Sequence, residues 1–527
     1  MRMRPFSLFA QAFPFAIVAS LIFSTICTPA APPEVIGIGL LRTTTTNLDG
    51  SGIRIAQVEA SEVDGTPPHF EVNPTDPSVN SSSLFIYYSD LGIATNYPNS
   101  VGVESWHANN VAQYIYGIFN GVATNVSRVD NFQADHFVNT FIGTSPTNPG
   151  AMIINQSFTY GPQPVPFQQS EDSAYDDTAV RFGTLYITSA GNSDGVQTPA
   201  TCYNGIGVAA FGGLSSVGPT PDNGRCKPDI CAPGGVTSFS TPFVSGAAAV
   251  LRQAGLRGDG GTDTNSAVDM RMIKALLLNG AVKPSDWTNG PSSPLDARFG
   301  SGIVNVFNSY IQLTGRKHDP IESASVVTNS AHPPGSNNTS ISGLSGWNFT
   351  SLSSSPGMDR VSHYYFSATN GLSNALYTVN ATLVWNRQTN QTAINDLDLF
   401  LYDVGTSNLI AQSISGVDNV EHIFTNVPPG RYDLQVLKYG GSAANGNITS
   451  EESYALAYAF FPVSLNLKTT TTNAVVTWPI YPAGYTLQST LNLAQPWSTL
   501  SPNTITNGTN RVELSLTNSQ LFRLQRP

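Results

Sequence analysis

The sequence predicts an α/β domain with a parallel sheet sandwiched by helices, followed by one or two C-terminal antiparallel β-sandwich modules. Three observations support this fold class. Up to about residue 315, short apolar strand-like runs alternate with helical runs, as in a parallel sheet covered on both faces. After residue 317 only strand signals remain, separated by turns such as NVPPG at 426–430. With 40% hydrophobic residues, the chain can form sizeable cores and is not disordered.

The pattern divides the 527 residues into five segments. They are a signal peptide (1–31), an α/β domain (32–316), a linker (317–346), a β-sandwich of jelly-roll type (347–462) and a small β module (463–527). In the α/β domain, strands are predicted at 53–58, 152–155, 184–188 and 206–211. Helices are predicted there at 111–119, 175–181, 243–253 and 270–278. Further strands are predicted at 361–367, 376–385, 396–402, 420–424, 431–436, 474–478, 485–487, 512–516 and 521–524.

The N-terminus carries an export signature. Two arginines precede an apolar run to about residue 26, and small residues follow it. A basic start, an apolar middle and a small-residue end are typical of a secretory signal peptide. An uncleaved membrane anchor is the alternative, because the run is nearly long enough to span a bilayer. We favour the signal peptide, since Gln11 and Pro14 interrupt the run. The mature chain is then secreted or associated with the cell envelope, without a stable membrane span.

Charge and cysteine content exclude several classes of protein. The net charge is −11 and basic residues do not cluster, which argues against nucleic acid as a partner. After export three cysteines remain, Cys202, Cys226 and Cys231, so at most one internal disulfide forms. An extended chain from Cys226 to Cys231 spans ~16 Å, beyond the ~7 Å that a bridge allows. Any bridge therefore involves Cys202. None of the spacings is that of a zinc site.

Three segments contain side chains of catalytic chemistry. A Gly-rich turn, APGGVTSFSTP at 232–242, delivers serine to the start of a small-residue helix, where backbone N–H groups can stabilise an oxyanion. His107 lies in SWHANNVA before an apolar helix, and Asn192 ends the strand-like LYITSAGN. Each also has a structural interpretation, as a helix cap, a core histidine and a turn residue.

Taken together, these segments resemble the motifs of subtilisin-like serine proteases. TSFSTP is similar to the Thr-Ser-x-Ala-Thr-Pro of the serine motif, and Val236 replaces the glycine before it. This resemblance implies Ser238 as the nucleophile. HANNVA keeps the histidine and the Val-Ala pair of the family's histidine motif, which implies His107 as the base. AGN matches without alteration and implies Asn192 as an oxyanion donor.

The same resemblance implies a substrate-binding edge. INQSF at 154–158 is similar to the family's substrate-edge strand, and we expect Ser157, Phe158 and Gly191 to contact substrate. Thr159 and Tyr160 occupy positions where the family usually has glycines. We therefore expect a different specificity pocket.

The acid position departs from the family. IRIAQVE at 53–59 aligns with the first strand, whose last residue is normally the catalytic Asp, and here it is Glu59. A glutamate can orient the histidine if its backbone lies further back, since it is one methylene longer. The alternative is a surface glutamate, with Asp64 or no residue in this role. The chain order acid, histidine, Asn, serine is that of subtilisins.

The predicted function is a secreted serine endopeptidase acting on proteins or peptides. The alternative is a catalytically inactive fold that binds peptides or glycans, with the β modules as the working part. The chemistry requires no cofactor or metal. Structural calcium is left open, because the Asp-rich stretch 172–177 lacks a recognisable loop pattern. The accessory β modules are expected to contact substrate or the cell surface.

Overall fold

We describe a computed structural model of the chain, which covers residues 35–143, 145–369, 376–441, 449–462, 464–469, 473–506, 509–515 and 520–525. The predicted signal peptide, residues 1–31, lies outside these residues. In the part of the chain that is covered, no helix is long and apolar enough to cross a membrane.

The first part of the chain is an α/β domain. Its strands are β1 (Arg54–Glu59), β2 (His69–Glu71), β3 (Leu84–Ser89), β4 (Gly92–Ala94), β5 (Val103–Glu104), β6 (Arg128–Gln133), β7 (Ile153–Gln156), β8 (Leu185–Ser189), β9 (Ile206–Phe211) and β10 (Ile230–Pro233). Eight of them form one sheet in the order β10-β9-β8-β7-β1-β6-β3-β4. All neighbours in it are parallel except β3 and β4. β2 and β5 form a separate parallel pair.

Helices pack against this sheet. They are α1 (Ile38–Thr44), α2 (Trp106–Ile115), α3 (Ala134–Phe137), α4 (Val165–Phe182), α5 (Thr237–Arg257), α6 (Thr264–Ala267), α7 (Met270–Gly280) and α8 (Val306–Thr314). A π-helix, Val138–Ile142, follows α3 directly. Small residues such as Ala247 and Ala248 are fully buried in α5, which lets that helix lie close to the sheet. The predicted fold class is confirmed for this domain.

Three of the four predicted helices, α2, α4 and α5, begin earlier than predicted, and the shifts of α2 and α5 matter for the site. α2 begins at Trp106 because the Ser105 side chain accepts a hydrogen bond from the Ala108 N–H and caps it. α5 begins at Thr237, so Ser238 lies in its first turn. The predicted strands at 53–58, 152–155, 184–188 and 206–211 correspond to β1, β7, β8 and β9. We did not predict β3, β6 or β10.

A two-sheet antiparallel sandwich follows. Its strands are β11 (Glu322–Val327), β12 (Ser345–Ser353), β13 (Met358–Ala368), β14 (Tyr377–Trp385), β15 (Leu397–Asp403), β16 (Leu409–Ser413), β17 (Val420–Val427), β18 (Gly430–Lys438) and β19 (Glu451–Pro462). One sheet has the order β11-β13-β18-β15-β16 and the other β12-β19-β14-β17. Between them lies an apolar core that includes Trp385 and Leu434.

The segment 317–346, predicted as a linker, contains a strand of this sandwich. Ser323 of β11 pairs with Ser362 of β13, and their hydroxyls lie 2.9 Å apart. β11 is an edge strand whose residues alternate between half-buried and exposed. Because an edge strand needs few apolar residues, it left no hydrophobic run in the sequence.

The C-terminal β module has a small core of its own. Its strands are β20 (Asn466–Thr469), β21 (Asn473–Pro479), β22 (Thr486–Thr490), β23 (Ser498–Leu500), β24 (Thr504–Thr506), β25 (Thr509–Ser515) and β26 (Leu521–Gln525). They form sheets of four and three strands. Val476, Trp478, Leu487 and Val512 are buried between them.

The sandwich packs tightly on the α/β domain. Trp347 of β12 is fully buried in the core of that domain, and its indole N–H donates to the Leu313 carbonyl at 3.0 Å. Arg387 forms a 2.8 Å ion pair with the buried Asp176 of α4. The C-terminal module contacts the same domain, since the Ala483 N–H donates to the side chain of Asn308. The β modules therefore share buried surface with the domain that carries the motifs.

Candidate active site

The candidate residues meet at the carboxyl ends of neighbouring parallel strands. Glu59 is the last residue of β1, Ser157 follows β7 and Asn192 lies shortly after β8. These strands are adjacent in the sheet. Helix α2 contributes His107 in its first turn and α5 contributes Ser238 in its first turn. Carboxyl ends of parallel strands are where open α/β sheets usually bind ligands.

Glu59 and His107 form a direct pair. The Oε2 atom of Glu59 lies 2.7 Å from Nδ1 of His107. An ionised carboxylate only accepts, so Nδ1 carries the proton and Nε2 is left to act as a base. The Glu59 side chain is 1% exposed and that of His107 is 26% exposed. Asp64, the alternative acid, is exposed.

A buried glutamine holds the carboxylate in place. The Nε2 atom of Gln57 donates to Oε1 of Glu59 at 2.8 Å and to the Ala108 carbonyl at 3.0 Å. The Tyr116 hydroxyl donates to Oε1 of the same glutamine. Both oxygens of Glu59 are thus hydrogen-bonded, which fixes the orientation of the carboxylate toward His107.

A second carboxylate, Glu62, lies at the N-terminus of α2. Its oxygens accept from the N–H groups of His107 at 2.5 Å and Trp106 at 3.2 Å. Burial lowers the pKa of His107, but the charge and hydrogen bond of Glu59, together with the charge of Glu62, raise that pKa overall above 6.5. Glu62 is distant from α2 in sequence, and no local pattern predicted it.

Ser238 and Ser157 exchange two hydrogen bonds. The Ser238 hydroxyl donates to the Ser157 carbonyl at 3.1 Å, and the Ser157 hydroxyl donates to the Ser238 carbonyl at 2.9 Å. The second bond has a cause in the sequence. In a helix the carbonyl of Ser238 would accept from the N–H of residue 242, which is Pro242 and has none. Ser157 supplies the missing donor.

Asn192 is oriented by the residue before the serine. Its Oδ1 accepts from both the N–H and the hydroxyl of Thr237, each at 2.8 Å. The amide NH₂ then faces away from Thr237. Gly191, just before it, has φ +105°, and a Cβ there would lie 2.6 Å from Oγ of Ser216. Only glycine fits this close approach. Val236 is extended, so the glycine of the family motif is not needed there.

The expected substrate edge is tied to a neighbouring loop. The Phe158 side chain is buried, and its carbonyl accepts from the Ser189 hydroxyl at 3.2 Å. Thr159 donates to Gln197 at 2.7 Å, and the Tyr160 N–H donates to the Thr198 carbonyl at 2.9 Å. The two residues that replace the family's glycines thus connect the edge to residues 197–198.

Other groups considered in the sequence have structural roles. In the Asp-rich stretch, Asp172 pairs with Arg225 at 3.2 Å and Asp176 is the partner of Arg387. Across the described ranges, no group of three or more His, Cys, Asp or Glu side chains could hold a metal ion. The cysteines at 202, 226 and 231 are unpaired thiols, so the disulfide considered for Cys202 is not formed. Burial raises the pKa of the Cys202 thiol to about 12.

Comparison with known proteins agrees with this architecture. Residues 63–302 match the model of the subtilase family. His107, Ser157, Asn192 and Ser238 lie inside the matched residues, whereas Glu59 lies just before them.

Three of the solved structures that are similar are the following. The prenylagaramide maturation protease PagA is 20% identical over 53% of this chain and 99% of its own, with a TM-score of 0.34. A PatG macrocyclase in complex with peptide is 17% identical over 55% and 99%, with a TM-score of 0.37. A serine protease of Aeromonas sobria is 13% identical over 90% and 89%, with a TM-score of 0.34.

The sequence motifs, the order of the parallel strands and the family match concern the same part of the chain. Residues 63–302 of this protein, which include most of the α/β domain, are therefore similar to the subtilase family.

Proposed function

We propose that this protein is an exported serine endopeptidase in which Ser238 is the nucleophile, His107 the general base and Glu59 the residue that orients His107. The observation that supports this most directly is the 2.7 Å contact between Glu59 and Nδ1 of His107. This contact leaves Nε2 of His107 as the proton acceptor. Export is proposed from the N-terminal signature alone.

Catalysis would begin with a turn of the Ser238 side chain about χ1, away from the Ser157 carbonyl and toward His107. The Ser238 oxygen attacks the scissile carbonyl carbon while Nε2 of His107 takes the hydroxyl proton. The resulting oxyanion accepts hydrogen bonds from the NH₂ of Asn192 and the N–H of Ser238. That N–H is one of the first in α5, which have no acceptor within the helix.

Collapse of this intermediate breaks the C–N bond, and the leaving amine takes the proton from Nε2. Water then attacks the acyl carbon while Nε2 of His107 takes a proton from it. The bond from that carbon to the Ser238 oxygen breaks, the oxygen takes the proton back from Nε2, and the acid product leaves. Each step uses only side chains and N–H groups of this chain, so the proposed reaction requires no metal or cofactor. The expected substrates are proteins or peptides.

Labelling with a serine-directed fluorophosphonate tests this proposal. The native protein should react, and Ser238→Ala should not. Ser240→Ala is the matched control, because Ser240 is buried two residues further along α5 and its hydroxyl donates to the Val236 carbonyl. This variant should retain the label. A native protein that stays unlabelled and cleaves no peptide would contradict the proposal.

A further inference from the structure

An aromatic surface borders the candidate catalytic pair. Trp106 precedes His107, Phe239 follows Ser238, and the two aromatic rings meet edge-on with centroids 6.1 Å apart. The Phe239 ring also lies 5.8 Å from the His107 ring. We call Trp106 and Phe239 the aromatic patch. The Tyr114 ring packs against this patch, with its centroid 6.3 Å from that of Phe239.

The patch exposes a large apolar side chain beside the reacting groups. Trp106 is 67% exposed, although a tryptophan can bury 150–250 Å² when it is covered. Exposure by itself is weak evidence, since Phe119, just beyond the same helix, is 73% exposed. Trp106 differs because it contacts Phe239, which in turn contacts the His107 ring.

The chemistry of the reaction determines which half of a substrate would meet this patch. The leaving amine has to approach His107, because His107 returns the proton to it. Ser157 holds Ser238 from another side through two hydrogen bonds, and we assign the acyl half of the substrate to that side. Groups that pack on His107 therefore lie beside the residue that leaves.

We propose that the aromatic patch is a specificity subsite for an apolar side chain on the residue that directly follows the scissile bond. This inference rests on the proposed function. Covering Trp106 and Phe239 with an apolar side chain removes their surface from water and favours that substrate. Glu62 adds a negative charge at the same helix end, so an acidic residue at that substrate position is disfavoured.

Internally quenched peptides that differ only in the residue after the scissile bond test the proposal. The value of kcat/KM should be higher for Leu or Phe than for Gly at this position, and higher for Gly than for Asp. Hydrophobic contacts of this size discriminate by about 10-fold or more, and we expect about 10-fold for Leu over Gly. Trp106→Ala should reduce the ratio of kcat/KM for Leu over Gly to about 2. Phe239→Leu, which keeps an apolar side chain on α5, should reduce it less.

The controls separate this inference from the proposed function. Phe119→Ala removes an equally exposed aromatic residue outside the patch and should leave the ratio unchanged. A second peptide series varies the residue before the scissile bond, and its ratios should be the same in Trp106→Ala as in the native protein. A native enzyme that cleaves peptides without selecting the following residue would overturn the subsite alone. The subsite would also be overturned if Trp106→Ala changed only the kcat/KM ratios of the second series. Absence of both cleavage and fluorophosphonate labelling would overturn the proposed function as well.

Discussion

The candidate site has two halves that are built differently. We call Glu59 with His107 the acid half, and Ser238 with Asn192 the serine half. In the acid half, Glu59 has both carboxylate oxygens bonded, one to His107 and one to Gln57, and is almost completely buried. In the serine half, the Ser238 hydroxyl donates to the carbonyl of Ser157. The Ser238 hydroxyl is thus bonded to Ser157 at the end of the sheet, whereas the His107 ring is bonded to Glu59.

This difference shows which part of the candidate site is preorganised. The acid, its glutamine and the Nδ1 proton are held by buried groups, so the tautomer of His107 is fixed before substrate arrives. The serine half has a fixed backbone, set by Pro242 and Ser157, and one side-chain torsion that must change. A substrate N–H that donates to the Ser157 carbonyl would compete with the Ser238 hydroxyl for this acceptor and so favour the change.

The largest effect among the variants of the two halves is expected for the acid. Glu59→Gln keeps the shape but can present an NH₂ to Nδ1, which favours the wrong tautomer of His107. The comparable loss in a Ser-His-Asp triad is ~10⁴ in kcat, or about 5 kcal/mol of barrier at 1.36 kcal/mol per decade. Steady-state kinetics on a peptide substrate measure it. Glu59→Asp should lose less, because it retains the charge and loses only reach.

Asp64→Asn is the matched control for this prediction. Asp64 lies five residues further along, is exposed, and was the alternative acid in the sequence. It should retain native turnover. Native turnover in Glu59→Gln together with a large loss in Asp64→Asn would assign the acid role to Asp64 and remove the difference between the halves.

A smaller effect is expected in the serine half. Asn192→Ala removes one of two proposed oxyanion donors and should lower kcat by about 10²–10³. KM should change little, because this bond strengthens only as the oxyanion forms. Kinetics at saturating and limiting peptide separate the two constants. An equal rise in KM without a fall in kcat would show that Asn192 binds the ground state.

Thr237→Val tests the support of that donor. Valine keeps the backbone N–H that Asn192 accepts but removes the hydroxyl bond, one of two that orient the amide. One neutral hydrogen bond contributes about 1 kcal/mol, so kcat should fall by about 5-fold. Thermal unfolding of the variant provides the control, since a shift in Tm without a loss in kcat would make Thr237 purely structural.

Sequence reasoning reached the strands and the order of the site residues because short apolar runs and local motifs carry that information. β1 and β8 could be predicted, and with them the positions of Glu59 and Asn192 at strand ends. The strand β6 was missed because its sequence, RVDNFQ, is mostly polar and buries those polar groups through specific partners.

Contacts between distant segments could not be predicted. Nothing near residue 62 indicates that Glu62 caps α2, because its carboxylate and the His107 N–H are 45 positions apart in sequence and only folding brings them together. The burial of Trp347 in the core of the α/β domain is of the same kind. Propensity and periodicity describe local order, whereas these contacts depend on tertiary packing.

The smallest effect concerns the pH dependence of the acid half. In the proposed mechanism His107 must be neutral to accept the proton of Ser238, so the acid limb of kcat/KM should follow its pKa. The charge of Glu62 contributes to raising that pKa. Glu62→Gln removes this charge, the pKa of His107 falls, and the acid limb moves to lower pH. Activity relative to the plateau should therefore rise on the acid side.

Asp90→Asn is the control, because Asp90 pairs with a different histidine, His136, at 2.8 Å and its loss should leave the limb in place. An NMR titration of the His107 ring in the native protein and in Glu62→Gln measures the same shift without substrate. A limb that stays in place or moves to higher pH would show that Glu62 only caps α2, and that Glu59 alone sets the charge around His107.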